Sequence, residues 1–217
     1  APMAISEDTF ALAPSGKAWN VEALTTPGLP AVDSSAVPAM ESRETPDSKT
    51  IEDLVATANR LYPREDGREW TAADTLKTVA VTVLHPEDDD HEGPWREVIA
   101  VALPGDRQVD MKRLEAQFAP AELEESTEDD LKAHPEMVAG YMGPMVFGKQ
   151  GEAAGVAEPV RFFIDAHVAE GTEWIIGGDE AGKHRFHAVY GRDFKTDGTI
   201  ETVEVRHGDM SPDGSGP

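Results

Sequence analysis

The sequence contains no cysteine, which removes disulfide scaffolds, thiolate zinc sites, iron–sulfur clusters and cysteine nucleophiles together and is compatible with a reducing compartment. Basic residues are scarce: 19 Lys and Arg stand against 42 Asp and Glu, a formal net charge of −23. Such a chain repels a nucleic-acid backbone on average, so any RNA contact has to be local. No uninterrupted apolar run approaches the ~20 residues of a membrane helix, and the first 16 residues hold no Lys or Arg. The chain is therefore expected to be soluble, untargeted and cytoplasmic, with no membrane partner.

What is present fits a globular protein with solvated acidic loops: 39% apolar and 28% charged residues, four Trp and seven Phe in 217 residues. That length suits one ordinary domain or two very small ones. Residues 27–48 hold four prolines among small polar residues and read as a linker or surface arm. The stretch before them has short apolar pieces but no core of its own, and residues 208–217 are turn formers only. The sequence thus divides into flanking segments at 1–48 and 207–217 around one body at 49–206.

Within the body, Thr50 and Asp53 open an amphipathic helix carrying Ile51, Leu54, Val55, Ala58 and Leu61. Thr71 and Asp74 open a shorter one that runs into Thr78-Val-Ala-Val-Thr-Val-Leu84, apolar on both alternations and hence a central, buried strand. Residues 96–103 read as a second strand, 110–118 as a helix, and the acidic run 122–130 with Leu131 as another, exposed helix. Four short strands are expected at 160–164, 173–177, 184–190 and 199–205. Strands and helices mix without a βαβ rhythm, so the class is α+β.

Lys77 stands at the junction of the short helix and the buried strand. It is either a helix-end lysine that snorkels or a fixed cation suited to a phosphate or carbonyl oxygen. Gly140-Tyr-Met-Gly-Pro-Met-Val-Phe-Gly148 is a glycine loop of neither phosphate-loop nor dinucleotide pattern. Alone it reads as a turn, though its backbone could approach a ligand closely. His184 and His187 lie three apart on a strand and face opposite sides, which argues against a shared metal. His184 is left as a core-edge or pocket-lining histidine. Asp88-Asp-Asp-His-Glu92 lacks the EF-hand spacing and reads as a hairpin loop.

In order, Thr50-Ile-Glu-Asp-Leu54, Thr75-Leu-Lys-Thr-Val79, Leu103-Pro-Gly-Asp106, Gly140-x-x-Gly-Pro144, Phe163-Ile-Asp165 and Gly182-Lys-His-Arg-Phe186 resemble the editing (insertion) domain of bacterial prolyl-tRNA synthetase. The resemblance covers about residues 49–194. The flanks, Lys17-Ala-Trp-Asn-Val-Glu-Ala23 and Val205-Arg-His-Gly-Asp-Met-Ser-Pro-Asp-Gly214, are similar to the synthetase segments on either side of that insertion. The resemblance implies a mixed, barrel-like β-sheet packed with helices, as in free-standing deacylases of mischarged prolyl tRNA. It also implies hydrolysis of the aminoacyl ester of Ala-tRNA(Pro), a second sieve for an amino acid too small to be refused by the synthetic pocket.

By the same resemblance Lys77 is the essential lysine, Gly140 and Gly143 supply backbone groups to the carbonyl and water, and Tyr141 and Pro144 border the substrate. His184 bounds the amino-acid pocket, and Asp165 supports the loop or the substrate amine. No metal or cofactor is implied for editing; ATP and Mg would belong to an absent synthetic domain. The partners implied are the alanine-bearing 3′ end of tRNA(Pro) and the parent catalytic domain. One departure bears on the site: Gly177-Gly-Asp179 stands where the family often has Gly-Ala-Asn. Two other readings compete, a non-catalytic acceptor-binding or structural module and a free-standing deacylase for another small amino acid.

Overall fold

In the computed structural model, which describes residues 9–217, the chain runs through β1 (Phe10–Leu12), β2 (Ala18–Asn20), β3 (Glu41–Glu44), α1 (Ile51–Leu61), β4 (Thr75–His85), β5 (Trp95–Pro104), α2 (Met111–Glu115), β6 (Glu122–Glu125), α3 (Glu128–Lys132), α4 (Gly148–Ala154), β7 (Phe162–Asp165), β8 (Glu173–Gly177), β9 (Lys183–Val189) and β10 (Gly198–Ile200). Strands β1 and β2 form a separate ribbon. The other eight make one mixed sheet in the order β10-β7-β5-β4-β8-β9-β3, with β6 also paired to β4. The architecture is α+β as expected, and the end strands β10 and β3 do not join, so the sheet is not a closed barrel.

The β4–β5 hairpin is the frame. Apolar residues on both alternations let it bury both faces. Val81, Val83, Ile99 and Val101 pack with Leu114 of α2 on one side. Leu76, Ala100 and Ala102 pack with Phe147, Phe162 and Ile164 on the other. Each fully buried Val, Ile or Phe contributes roughly 1.5–3 kcal/mol. Helix α1 starts where the Thr50 hydroxyl accepts from the Asp53 N–H, and its buried face, Leu54 and Ala58, closes over Trp70, Ile175 and Phe186. No helix among the described residues is long and apolar enough to cross a membrane.

Four expectations need correction. The acidic run 122–130 is not one helix: β6 pairs antiparallel with the far half of β4, and only Glu128–Lys132 is helical, behind a capping box of Thr127 and Asp130. The decisive signal is alternation, since Leu123 packs inward on the α2 side of the sheet while Glu124 faces out to Arg96 at 2.6 Å. The strand expected at 199–205 stops at Ile200. Beyond it the Asp165 carboxylate, rather than a neighbouring strand, accepts the N–H groups of Thr202 and Val203 at 2.8 and 3.1 Å. The helix expected at 110–118 ends at Glu115 and continues as turns.

The fourth concerns the stretch 27–48, whose last part is β3, an edge strand antiparallel to β9. Its sequence, Glu-Ser-Arg-Glu, carries no apolar alternation. Pairing is secured by backbone bonds and by Arg43, whose guanidinium lies 4.7 Å from the Phe186 ring centroid and 4.8 Å from that of Tyr62. The segment before it is tied down as well. Arg113, with no exposed surface, donates to the carbonyls of Leu24 and Val203, each at 2.8 Å, and to Glu201 at 2.5 Å. One guanidinium thereby joins three remote parts of the chain.

Candidate functional site

A cavity of about 270 Å³ opens between the N-terminal end of α1, the start of β4, the glycine loop and the β8–β9 edge. Its walls include Ile51, Leu76, Lys77, Gly140, Met142 and His184. The topology brings these together because β8 pairs with β4 only at Thr75 and Leu76 and then turns away at Gly177 toward the loop.

Lys77 is half-buried at the β4 end of this cavity and has no ion-pair partner among the described residues. Burial pushes its ammonium down from the usual lysine range, against the field of Glu204, Asp106 and Glu52. His184 is buried, 4% exposed. Its Nδ1 is hydrogen-bonded to the Thr45 hydroxyl at 2.6 Å, and its ring lies 5.3 Å from that of Tyr141. Burial lowers the imidazole to about 4, so at neutral pH it is an uncharged wall. Thr45 lies in the stretch read as a linker, and nothing in its Pro-rich neighbourhood marks it in the sequence.

Glycine is required where the loop meets β8. A Cβ on Gly143 would stand 2.1 Å from the Gly177 carbonyl oxygen, and one on Gly177 would stand 2.2 Å from that of Met142. Both contacts are impossible for any larger residue. The seam is held by Asp179: the Gly143 N–H donates to its Oδ1 at 2.7 Å, and its own N–H donates to the Tyr141 carbonyl at 2.9 Å. Arg185 donates to Oδ2 at 2.6 Å. Burial raises the Asp179 carboxyl, against Arg185 and the Gly143 bond. The Gly143 N–H is thus occupied, unlike the free donor expected from the resemblance. The N–H groups of Gly140 and Met142, both cavity-lining, have no acceptor among the described residues. Pro144 is buried as the first residue of a short 3-10 turn, and Tyr141 is buried behind His184.

Asp165 is not a wall of the cavity. It is fully buried; besides Thr202 and Val203 it accepts from the His167 backbone N–H at 2.8 Å and pairs with His167 Nδ1 at 2.9 Å. Burial pushes this carboxyl up, but the His167 bonds outweigh it and hold it below the usual range. Asp165 anchors the return of the chain after β10.

Lys77, Gly140 and His184 therefore converge, Gly143, Tyr141 and Pro144 stand behind them, and Asp165 lies apart. The residues missed were Thr45, which orients His184, and Met142; Asp179 was visible only as a departure from a pattern. The sequence profile of the aminoacyl-tRNA editing domain matches residues 45–194. The chain is 67% identical over its whole length to the proline--tRNA ligase of Bifidobacterium longum (strain NCC 2705), and 50% identical, again over its whole length, to that of Kineococcus radiotolerans. It spans 36% and 35% of those proteins. The crystal structure of hypothetical protein APE2540 aligns over 76% of this chain and 92% of its own, at 13% identity and a TM-score of 0.48. With its profile match running from Thr45, the partner of His184, through the Lys77 strand and the Asp179 seam, the chain belongs to the aminoacyl-tRNA editing domain family.

Proposed function

We propose that this chain is the editing part of a proline--tRNA ligase and hydrolyses the aminoacyl ester of Ala-tRNA(Pro). The observation that carries the proposal is the convergence, in one 270 Å³ cavity, of Lys77, neutral His184 and the unpartnered N–H groups of Gly140 and Met142. The ester carbonyl is held by those two N–H groups, whose lack of a protein acceptor among the described residues leaves them to bond the negative charge that develops on its oxygen. Lys77 anchors the ribose or phosphate of the terminal nucleotide. Water attacks the carbonyl carbon, the bond to the ribose oxygen breaks, and the neighbouring ribose hydroxyl passes the proton to that leaving oxygen. Alanine departs as the free amino acid.

His184, backed by Tyr141, and the loop residues Gly140 and Met142 bound the cavity, so a methyl side chain enters and a pyrrolidine ring does not. The acidic chain leaves most tRNA phosphates to the remainder of the synthetase, joined through the flanks at 1–48 and 207–217. Ser15 donates to Asp213 at 2.7 Å, a contact between the two flanks that supports the reading as an insertion. A deacylation assay with purified Ala-tRNA(Pro) and Pro-tRNA(Pro) decides the matter: release of alanine but not proline is expected. Release of neither would leave a non-catalytic module, and release of another small residue alone would reassign the substrate.

A further inference from the structure

The hydrogen-bonding edge of β4 is open in its middle. On the side away from β5, β8 pairs only with Thr75 and Leu76 and β6 only with Val81–Leu84. Among the described residues no strand pairs with residues 77–80 there. A groove of about 480 Å³ lies over the gap. Because the sheet is interrupted, the groove has walls from both of its faces. Val79, Val81 and Met111 pack with the residues under α2, whereas Leu131 and Met142 pack with the opposite layer. Lys77, Thr78, Val79 and Met142 line both this groove and the 270 Å³ cavity, so the two spaces are continuous past the lysine.

We propose that this groove binds the adenine base of the terminal nucleoside that carries the ester, an inference that rests on the reading of the neighbouring cavity as the aminoacyl site. An aminoacyl group is joined to its base only through a ribose, so the base must lie in a space adjoining the aminoacyl cavity and separated from it by about one sugar. The groove has that position, with Lys77 at the divide. Its chemistry selects a base over a phosphate. Lys77 is the one basic residue lining it, and Glu125 at its rim repels anions. The valine and methionine side chains offer flat, polarisable contact to a π face. Gln108 presents a carboxamide whose donor and acceptor match the paired acceptor and donor on an adenine edge. Gln108 is exposed and its side chain makes no hydrogen bond among the described residues, so it is available to read that edge.

The test uses the whole chain with methyl-labelled methionine, titrated with adenosine and with cytidine. Saturable shifts of the Met111 and Met142 methyl signals with adenosine are expected, with Met210 unmoved, and binding tighter for adenosine than for cytidine by about three-fold or more. Gln108→Ala should weaken adenosine binding about three- to ten-fold and leave the cytidine titration unchanged, while the unfolding midpoint stays at the wild-type value. Adenosine shifts at Met111 in a chain that hydrolyses no ester would support this site and refute the proposed hydrolysis. No saturable shift at Met111, equal binding of the two nucleosides, or an unaltered adenosine affinity in Gln108→Ala would overturn the assignment even if Ala-tRNA(Pro) is hydrolysed.

Discussion

The Gly143 N–H donates to Asp179 Oδ1 at 2.7 Å, and the Asp179 N–H donates back to the Tyr141 carbonyl at 2.9 Å. This reciprocal pair fixes the loop that carries Gly140 and Met142. Asp179→Asn keeps an acceptor for Gly143 and should retain most deacylation. Asp179→Ala strands the Gly143 N–H and leaves Arg185 only its 3.4 Å bond to the Gly177 carbonyl, at a cost of about 1–3 kcal/mol for a buried unsatisfied group. Urea unfolding and single-turnover deacylation of both variants check this; an alanine variant as active as the asparagine one would remove Asp179 from the positioning of the loop.

Lys77→Ala should abolish most deacylation while changing stability by less than about 1 kcal/mol. The lysine is half-buried and unpaired among the described residues, so its loss opens no core cavity and breaks no ion pair. Circular dichroism and the two-substrate assay separate the outcomes. Turnover undiminished in a folded variant would show that Lys77 does not touch the substrate.

His184→Ala enlarges the cavity wall and should let Pro-tRNA(Pro) be hydrolysed, with a change in the Ala-to-Pro rate ratio of roughly 10- to 200-fold at most. Because the ring is buried against Tyr141 and bonded to Thr45, stability should fall as well. If both esters slow equally in the folded variant, His184 orients rather than sieves.

The same histidine gives a pH signature. Its folded-state value is depressed to about 4 from the ordinary 6.5, so between those limits the unfolded chain binds the proton and the folded chain does not. Stability should therefore be full above about pH 6.5 and decline as the pH falls toward 4. Urea midpoints across that window should slope less steeply in His184→Gln. Identical slopes would mean that other groups carry the acid sensitivity.

Asp165→Ala should act on folding rather than on substrate binding. It orphans the Thr202, Val203 and His167 N–H groups, and a loss of at least about 2 kcal/mol is expected. KM for Ala-tRNA(Pro), measured where the variant is folded, should be unchanged; a raised KM with normal stability would return Asp165 to the substrate.

Residues that report themselves by periodicity were legible in the sequence. The two-sided apolar run of β4 and the capped face of α1 are examples, and both border the cavity. The order of Lys77, the glycine loop and His184 was legible as a resemblance. Glu41–Glu44 was not, because an edge strand takes its stability from backbone pairing and needs no apolar alternation. Thr45 was hidden because its partner lies 139 residues away, and short-range pattern cannot register such a contact. Asp179 was visible only as an oddity, since its meaning depends on a loop 36 residues earlier in the chain.

The Arg113 clamp restricts where such a module can be cut from one host and grafted into another. A fragment begun at residue 49 would lose Leu24 as an acceptor for a guanidinium with no exposed surface. It would also lose β3 from the β9 edge and Thr45 from His184. Any transfer of this fold between hosts must therefore carry the polar segment from about Leu24 onward, and the tolerant splice points lie outside it, near the ribbon of β1 and β2.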